Sequence, residues 1–271
     1  MIVFPNAKIN LGLHVVEKRT DGYHNLQTVF FPIPLFDVLE IVESSNEGLR
    51  LFNYGLTIDI PPQENICARA YQLIAERYHL PSLDIYLYKH IPFGAGLGGG
   101  SSDAAHTLLL LNKMFRLDIP FETLLEMALL LGSDCPFFLY NKAMYATGRG
   151  EVLQPIELNL SGKYLVVIKP AVHVSTAEAY KGVLPQRPAH DLREVLKLPV
   201  VEWKHYLSND FEPSVFVKYP LLQHIKEQLY EMGALYAAMS GSGSALFGIF
   251  EGEVRVPASL TNYFVWAGTL P

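Results

Sequence analysis

The stretch Pro92-Phe93-Gly94-Ala95-Gly96-Leu97-Gly98-Gly99-Gly100-Ser101-Ser102-Asp103-Ala104-Ala105 places five glycines in positions 94–100 and follows them with two serines and a run of helix formers. Glycine has no Cβ, so such a backbone bends closely around a bulky, oxygen-rich group. The helix that follows offers unpaired N–H groups and the positive end of its dipole to an anion. The run therefore reads as a phosphate cradle leading into a helix. A flexible linker would not have a proline in front of it and a well-patterned helix directly behind.

The better-known glycine loops do not fit. Gly94-x-Gly96-x-x-Gly99 satisfies the dinucleotide fingerprint, but any dense glycine run contains that pattern, and here it follows at least four strand-like segments. Asp118 lies about the right distance onward for a ribose contact, yet Leu117-Asp118-Ile119-Pro120 reads as a turn. The P-loop of ordinary ATPases needs a lysine where Gly100 stands. Protein kinases set their glycines in a hairpin, whereas Ser101 opens a helix.

Working outward, residues 2–16 read as a strand in which Ile9, Leu11 and Leu13 alternate with Lys8, Asn10 and Gly12, so Lys8 and Asn10 share a face. Asp21-Gly22 makes a turn before an extended run over 26–31, and further strand-like pieces lie at 36–43, 56–60 and 83–89. Asn65 is placed to cap a helix with Ile66, Ala70, Leu73 and Ile74 on its inner face. Helices are expected over 101–116 and 121–131; the latter stops at Gly132 and leaves Asp134 in the connection beyond. The second half reads as a strand at 163–169 ended by Pro170, helices at 176–181, 190–196 and 219–232, and two apolar strands, 234–239 and 245–250, joined by Ser240-Gly241-Ser242-Gly243-Ser244. The tail from Glu251 is weakly patterned and suits a sheet edge. Gln154-Pro155 marks the domain boundary.

A chain of 271 residues that is 50% hydrophobic buries a sizeable core, in one or two domains. Its formal net charge of −6 argues against a broad nucleic-acid surface. Two cysteines, Cys67 and Cys135, are too few for a disulfide scaffold and read as buried small apolar groups in a reducing compartment. The N-terminal residues lack a signal-peptide pattern, and no apolar run reaches the roughly 18 residues that span a bilayer. A cytoplasmic protein is expected, without membrane or nucleic-acid partners. The nine histidines show no metal-ligand spacing.

The central motif resembles that of the GHMP small-molecule kinases. So do Pro5-Asn6-Ala7-Lys8-Ile9-Asn10-Leu11, Arg19-x-Asp21-Gly22-Tyr23-His24, Leu131-Gly132-Ser133-Asp134-Cys135-Pro136-Phe137-Phe138, Asn209-Asp210-Phe211-Glu212-Pro213 and Met239-Ser240-Gly241-Ser242-Gly243, which are similar to the branch acting on a cytidylated polyol. The resemblance spans nearly the whole chain. It implies an α/β (α+β) fold of two domains: a ribosomal-protein-S5-domain-2-like N-terminal domain over 1–155 with the glycine-rich loop, and a ferredoxin-like C-terminal domain over 156–271, with the active site in the cleft between them. It also implies ATP-dependent phosphorylation of a polyol hydroxyl in isoprenoid precursor synthesis, with ATP and Mg2+ as cofactors. The metal's protein ligands are not implied. A monomer or weak homodimer is expected.

Residue by residue, the resemblance makes Asp134 the general base and Lys8 its partner, with an ammonium keeping a carboxylate ionised and favouring the developing alkoxide. By itself an Asp beyond a helix end reads as a cap or a solvated turn residue. Pro92, Gly94, Ala95, Gly96, Leu97, Gly98, Gly99, Gly100, Ser101 and Ser102 would hold the polyphosphate, Ser101 also capping its helix. Asn65 would touch the adenine region, or simply cap. Asn10 would bind substrate hydroxyls or fix Lys8. Tyr23 and His24 would hold the cytosine by stacking and edge recognition; singly, Tyr23 reads as a core or turn aromatic. Lys89 would approach the same nucleotide, or be a solvated strand-end lysine. Ser175 and Thr176 lie on a substrate-side loop, and Gly241 and Ser242 on a second small-residue loop. A homoserine, mevalonate or galactose kinase of the same family would need no cytosine clamp. A binding protein that had lost catalysis would gain nothing from keeping Lys8 and Asp134.

Overall fold

A computed structural model of the chain describes residues 1–57 and 60–271. In chain order the elements are β1 (Ile2–Val3), β2 (Asn6–Lys18), β3 (His24–Phe36), β4 (Val38–Glu43), β5 (Leu49–Gly55), α1 (Ile66–Ala75), β6 (Leu83–Lys89), α2 (Gly99–Met114), α3 (Phe121–Leu131), α4 (Cys135–Tyr140), β7 (Met144–Thr147) and β8 (Val152–Pro155). There follow β9 (Tyr164–Lys169), α5 (Thr176–Lys181), α6 (Leu192–Val195), α7 (Glu212–Lys218), α8 (Pro220–Glu231), β10 (Tyr236–Met239), β11 (Leu246–Phe250) and β12 (Phe264–Thr269). Two compact units result. The first comprises Met1–Ala7, Leu35–Phe93 and Gly98–Asn141; the second comprises Lys8–Pro34, Gly94–Leu97 and Lys142–Pro271.

The first unit is built on a sheet of order β1-β4-β6-β5, antiparallel except for the parallel β5–β6 pair. In β6, Leu83, Ile85 and Leu87 are buried while Tyr86 is half-buried and Tyr88 exposed, so one sheet face belongs to the core. Helix α2 adds Ala104, Leu108 and Leu111, all buried, at the spacing of one helical face. Asn65 caps α1 as expected, its Oδ1 accepting the Cys67 N–H at 2.9 Å. The inner face of α1 is turned slightly from expectation: Cys67, Ala70 and Ile74 are buried, whereas Ile66 and Leu73 are half-buried. Helix α2 begins two residues early because Gly99 and Gly100 already take helical geometry. The strand expected over 56–60 includes residues 58 and 59, which lie outside the described residues; the strand found is β5, which ends at Gly55.

The second unit carries two four-stranded sheets, β2-β3-β7-β8 and β10-β11-β9-β12. Strand β9 lies between β11 and β12, and Leu165, Val166, Val167 and Ile168 are all fully buried, which explains a continuous apolar run in place of alternation. Strands β10 and β11 pair antiparallel, and β12 forms a sheet edge, as expected for the tail. Leu222, Ile225 and Leu229 of α8 recur at helical spacing and join Leu246 and Phe250 in the core.

Candidate active site

In the first unit the last three glycines of the run, Gly98, Gly99 and Gly100, form the head of α2. Gly98 occupies the N-cap in the left-handed region, with φ +72, and no side chain caps the helix. A Cβ at Gly100 would meet nothing within 4 Å. An uncapped start of a 16-residue helix beside open space suits a phosphate oxygen. Ser101 is half-exposed there, but Ser102 is fully buried with its Oγ 3.3 Å from His106 Nδ1. That burial removes Ser102 from the groups able to touch a polyphosphate.

Asp134 stands at the N-cap position of α4, half-buried, and its carboxylate does not cap the helix. The next residue, Cys135, is fully buried, and α4 packs against α2 within the same unit. Burial pushes the Cys135 thiol up to about 12, with Ser101 and Arg69 acting in the opposite sense, so it stays protonated at neutral pH. Both cysteines are free and buried, as their count suggested.

Lys89 is not a solvated strand-end lysine. Its Nζ is shut inside the first unit between Asp37 and Asp103 Oδ2, the latter at 2.6 Å, and only 1% of the residue is exposed. Such an ammonium is already committed, which turns the expected nucleotide contact into a supporting role. Asp37 Oδ1 also accepts the N–H groups of His90 and Ile91 at 2.6 and 2.8 Å, fixing the segment before Pro92. Asn65 is 2% exposed and spends its side-chain oxygen on the cap, which likewise favours support over contact.

In the second unit Lys8 and Asn10 do share a face of β2, both 3% exposed, with Lys8 Nζ donating to Asn10 Oδ1 at 2.6 Å and to Gly96 O at 2.9 Å. Asn10 donates to Thr28 Oγ1 at 2.9 Å, and Ser240 Oγ donates to Gly96 O at 2.8 Å. The Lys8 ammonium also lies 5.0 Å from the centre of the Phe30 ring. Gly96 has φ +74, and a Cβ on it would fall 1.9 Å from Ser240 O. Gly96→Ala is therefore expected to cost about 1–3 kcal/mol, read as a lower urea midpoint, together with activity. An unshifted midpoint would mean the two loops do not approach this closely.

The second small-residue loop meets the loop that carries Ser175 and Thr176. Thr176 Oγ1 and Ser242 Oγ are 3.3 Å apart, while Ser175 caps α5 by accepting the Glu178 N–H. Tyr23 is 56% exposed and the Arg149 guanidinium lies 4.8 Å from its ring centre, so it is not a core aromatic. His24 stacks on Tyr180 at 4.7 Å, and burial, with a smaller effect from Lys18, holds its pKa below the usual value, which favours the neutral imidazole. Thr28, Arg149 and Tyr180, which contact Asn10, Tyr23 and His24, were not among the expected residues, whereas Ser240 lies in the small-residue loop that was. Of these three only Arg149, between Gly148 and Gly150, carried any local signal.

The models for the GHMP kinases N terminal domain and the GHMP kinases C terminal match residues 65–142 and 189–260. A 4-diphosphocytidyl-2-C-methyl-D-erythritol kinase of Bacteroides fragilis is 53% identical over 258 residues, covering 94% of each chain. The chain belongs to the GHMP kinase family. Another kinase of the same name, from Parabacteroides distasonis, is 50% identical over the full length of both chains. A solved 4-(cytidine 5'-diphospho)-2C-methyl-D-erythritol kinase aligns with a TM-score of 0.83 at 33% identity, covering 100% of this chain and 99% of its own. The α/β fold expected from the motifs is thus that of a GHMP kinase, and the chain is a small-molecule kinase. Among the described residues, no helix is long and apolar enough to cross a membrane.

Proposed function

We propose that the chain transfers the γ-phosphoryl group of ATP to the 2-hydroxyl of 4-diphosphocytidyl-2-C-methyl-D-erythritol, giving the 2-phosphate and ADP in the cytoplasm. The observation that carries this reading is the uncapped head of α2, packed within one unit against the helix that Asp134 opens. Backbone amides from Gly94 through Ser101 hold the polyphosphate, which is how an acidic protein binds an anion without a basic face. Among the described residues, no three His, Cys, Asp or Glu side chains cluster as metal ligands. The Ser101 hydroxyl is the protein group that would hold a Mg2+ brought in with the nucleotide. When bound, Mg2+ offsets charge on the transferring phosphate.

Asp134 accepts the proton of the attacking hydroxyl, and Lys8 stabilises the alkoxide that develops. Asn10 holds Lys8 in place. Thr176, Gly241 and Ser242 line the polyol side, while Tyr23 and His24 take the cytosine. The reading keeps the division into domains 1–155 and 156–271, a monomer or weak homodimer in solution, and no nucleic-acid partner. A coupled ADP-release assay comparing the cytidylated polyol with mevalonate, homoserine and galactose tests it: turnover is expected with the first alone. Tyr23→Ala is expected to raise KM for the cytidylated polyol about tenfold, the loss of roughly 1–1.5 kcal/mol of stacking, with KM for ATP unchanged. Equal effects on both constants would remove Tyr23 from the cytosine site.

A further inference from the structure

The motif Asn209-Asp210-Phe211-Glu212-Pro213 has no part in the chemistry above, yet it closes a ring of contacts that begins and ends on β2. Asp210 N–H donates to Leu13 O at 2.9 Å, and Leu13 N–H donates to Ser208 O at 2.9 Å, which fastens Asn209 to the strand carrying Lys8 and Asn10. Asn209 is 2% exposed and its amide is fully used. Its Nδ2 donates to Met239 O and to Gly241 O, each at 2.8 Å, and its Oδ1 accepts the Phe211 N–H at 3.0 Å. Those two carbonyls flank Ser240, whose hydroxyl donates to Gly96 O, the same oxygen that takes Lys8 Nζ. Glu212 adds a second hold, accepting the Met239 N–H at 2.8 Å and the Lys226 ammonium at 2.6 Å.

We infer that Asn209 is a positioning residue for phosphoryl transfer: by gripping the carbonyls on either side of Ser240 it sets the Gly96 carbonyl, and through it the Lys8 ammonium. Both hydrogens of one amide serve this purpose, and neither touches substrate. The inference rests on the role proposed for Lys8. Displacing a charged group by about an ångström costs on the order of a hundredfold in rate, so the effect belongs in kcat.

Asn209→Asp keeps the size and the acceptor for Phe211 N–H but turns a carboxylate oxygen toward two carbonyls. With the folded protein verified by circular dichroism, kcat is expected to fall about 10–100-fold while KM for ATP and for the cytidylated polyol changes less than about threefold. The deciding measurement is a double-mutant cycle with Lys8→Met, followed by single-turnover kinetics. In the Lys8→Met background, Asn209→Asp is expected to cost less than about threefold more, because the group it positions is gone. Fully additive losses, or unchanged kcat in Asn209→Asp, would overturn the inference. Unchanged turnover in Lys8→Met alone would instead overturn the role of Lys8. If Asn209→Asp does not fold, Ser240→Ala replaces it in the cycle, since it leaves both Asn209 bonds to the loop in place and cuts only the Ser240 hydroxyl's links to Gly96 O and Asn10 Oδ1, the two acceptors that hold Lys8 Nζ; the same coupling supports the inference and additivity overturns it.

Discussion

Asp134→Asn is expected to lower kcat by about two to four orders of magnitude, the range in which a positioned general base contributes, while KM for both substrates stays within about threefold. The amide keeps the shape of the carboxylate but cannot accept the proton of the attacking hydroxyl. Asp134 does not cap α4, so the substitution removes no helix cap. The measurement is ADP release under saturating ATP and cytidylated polyol, paired with a thermal melt. Phosphoryl transfer relies largely on positioning and electrostatics, so a residual rate from the amide cradle and Lys8 should persist above the uncatalysed reaction. Turnover equal to that of the unaltered chain would take the proton-accepting role from Asp134.

What the sequence made legible was local. Asn65 capping α1, the period of two that places Lys8 with Asn10, and the glycine run opening a helix each depend on neighbours within a few residues, and each is found. Helix α4 was missed because Pro136-Phe137-Phe138 after Gly132 reads as an apolar connection, although a proline in the first turn is a helix-start signal. Strand β5 was missed because all of Leu49–Asn53 is half-buried, which blurs alternation. Most of the rest was invisible for a different reason. Thr28 meets Asn10 across 18 residues of sequence, Ser240 meets Gly96 across 144, and Lys89 meets Asp37 across 52. Such pairings are made by the tertiary fold, and no periodicity encodes them.

Lys89 shows how far this matters, because Lys89→Met is expected to destabilise the protein by about 3–5 kcal/mol, the cost of stripping one partner from a buried ion cluster. Methionine keeps most of the apolar stem but leaves the Asp37 and Asp103 carboxylates facing one another without a cation, with Asp103 Oδ1 already lacking a hydrogen-bond partner. Burial, reinforced by Asp37 and opposed by Lys89, pushes the Asp103 carboxyl up to about 8. Its value in the folded chain thus exceeds the ordinary 3.8, so between these limits the folded state holds a proton that the unfolded chain has released. Stability contributed by this group is present at low pH and falls as pH rises through that window. Two urea-unfolding outcomes follow. Lys89→Met should lose more at pH 8.5 than at pH 6, where protonation relieves the repulsion. Asp103→Asn, which needs no proton to stay neutral and keeps an oxygen for Lys89, should gain stability relative to the unaltered chain over the same rise. Since Asp37 fixes the residues before Pro92 and Asp103 lies in the second turn of α2, the same cluster braces both flanks of the phosphate loop. Folded Lys89→Met protein should accordingly show a raised KM for ATP. An unfolding midpoint that does not move in Lys89→Met would show that this cluster does not hold the loop.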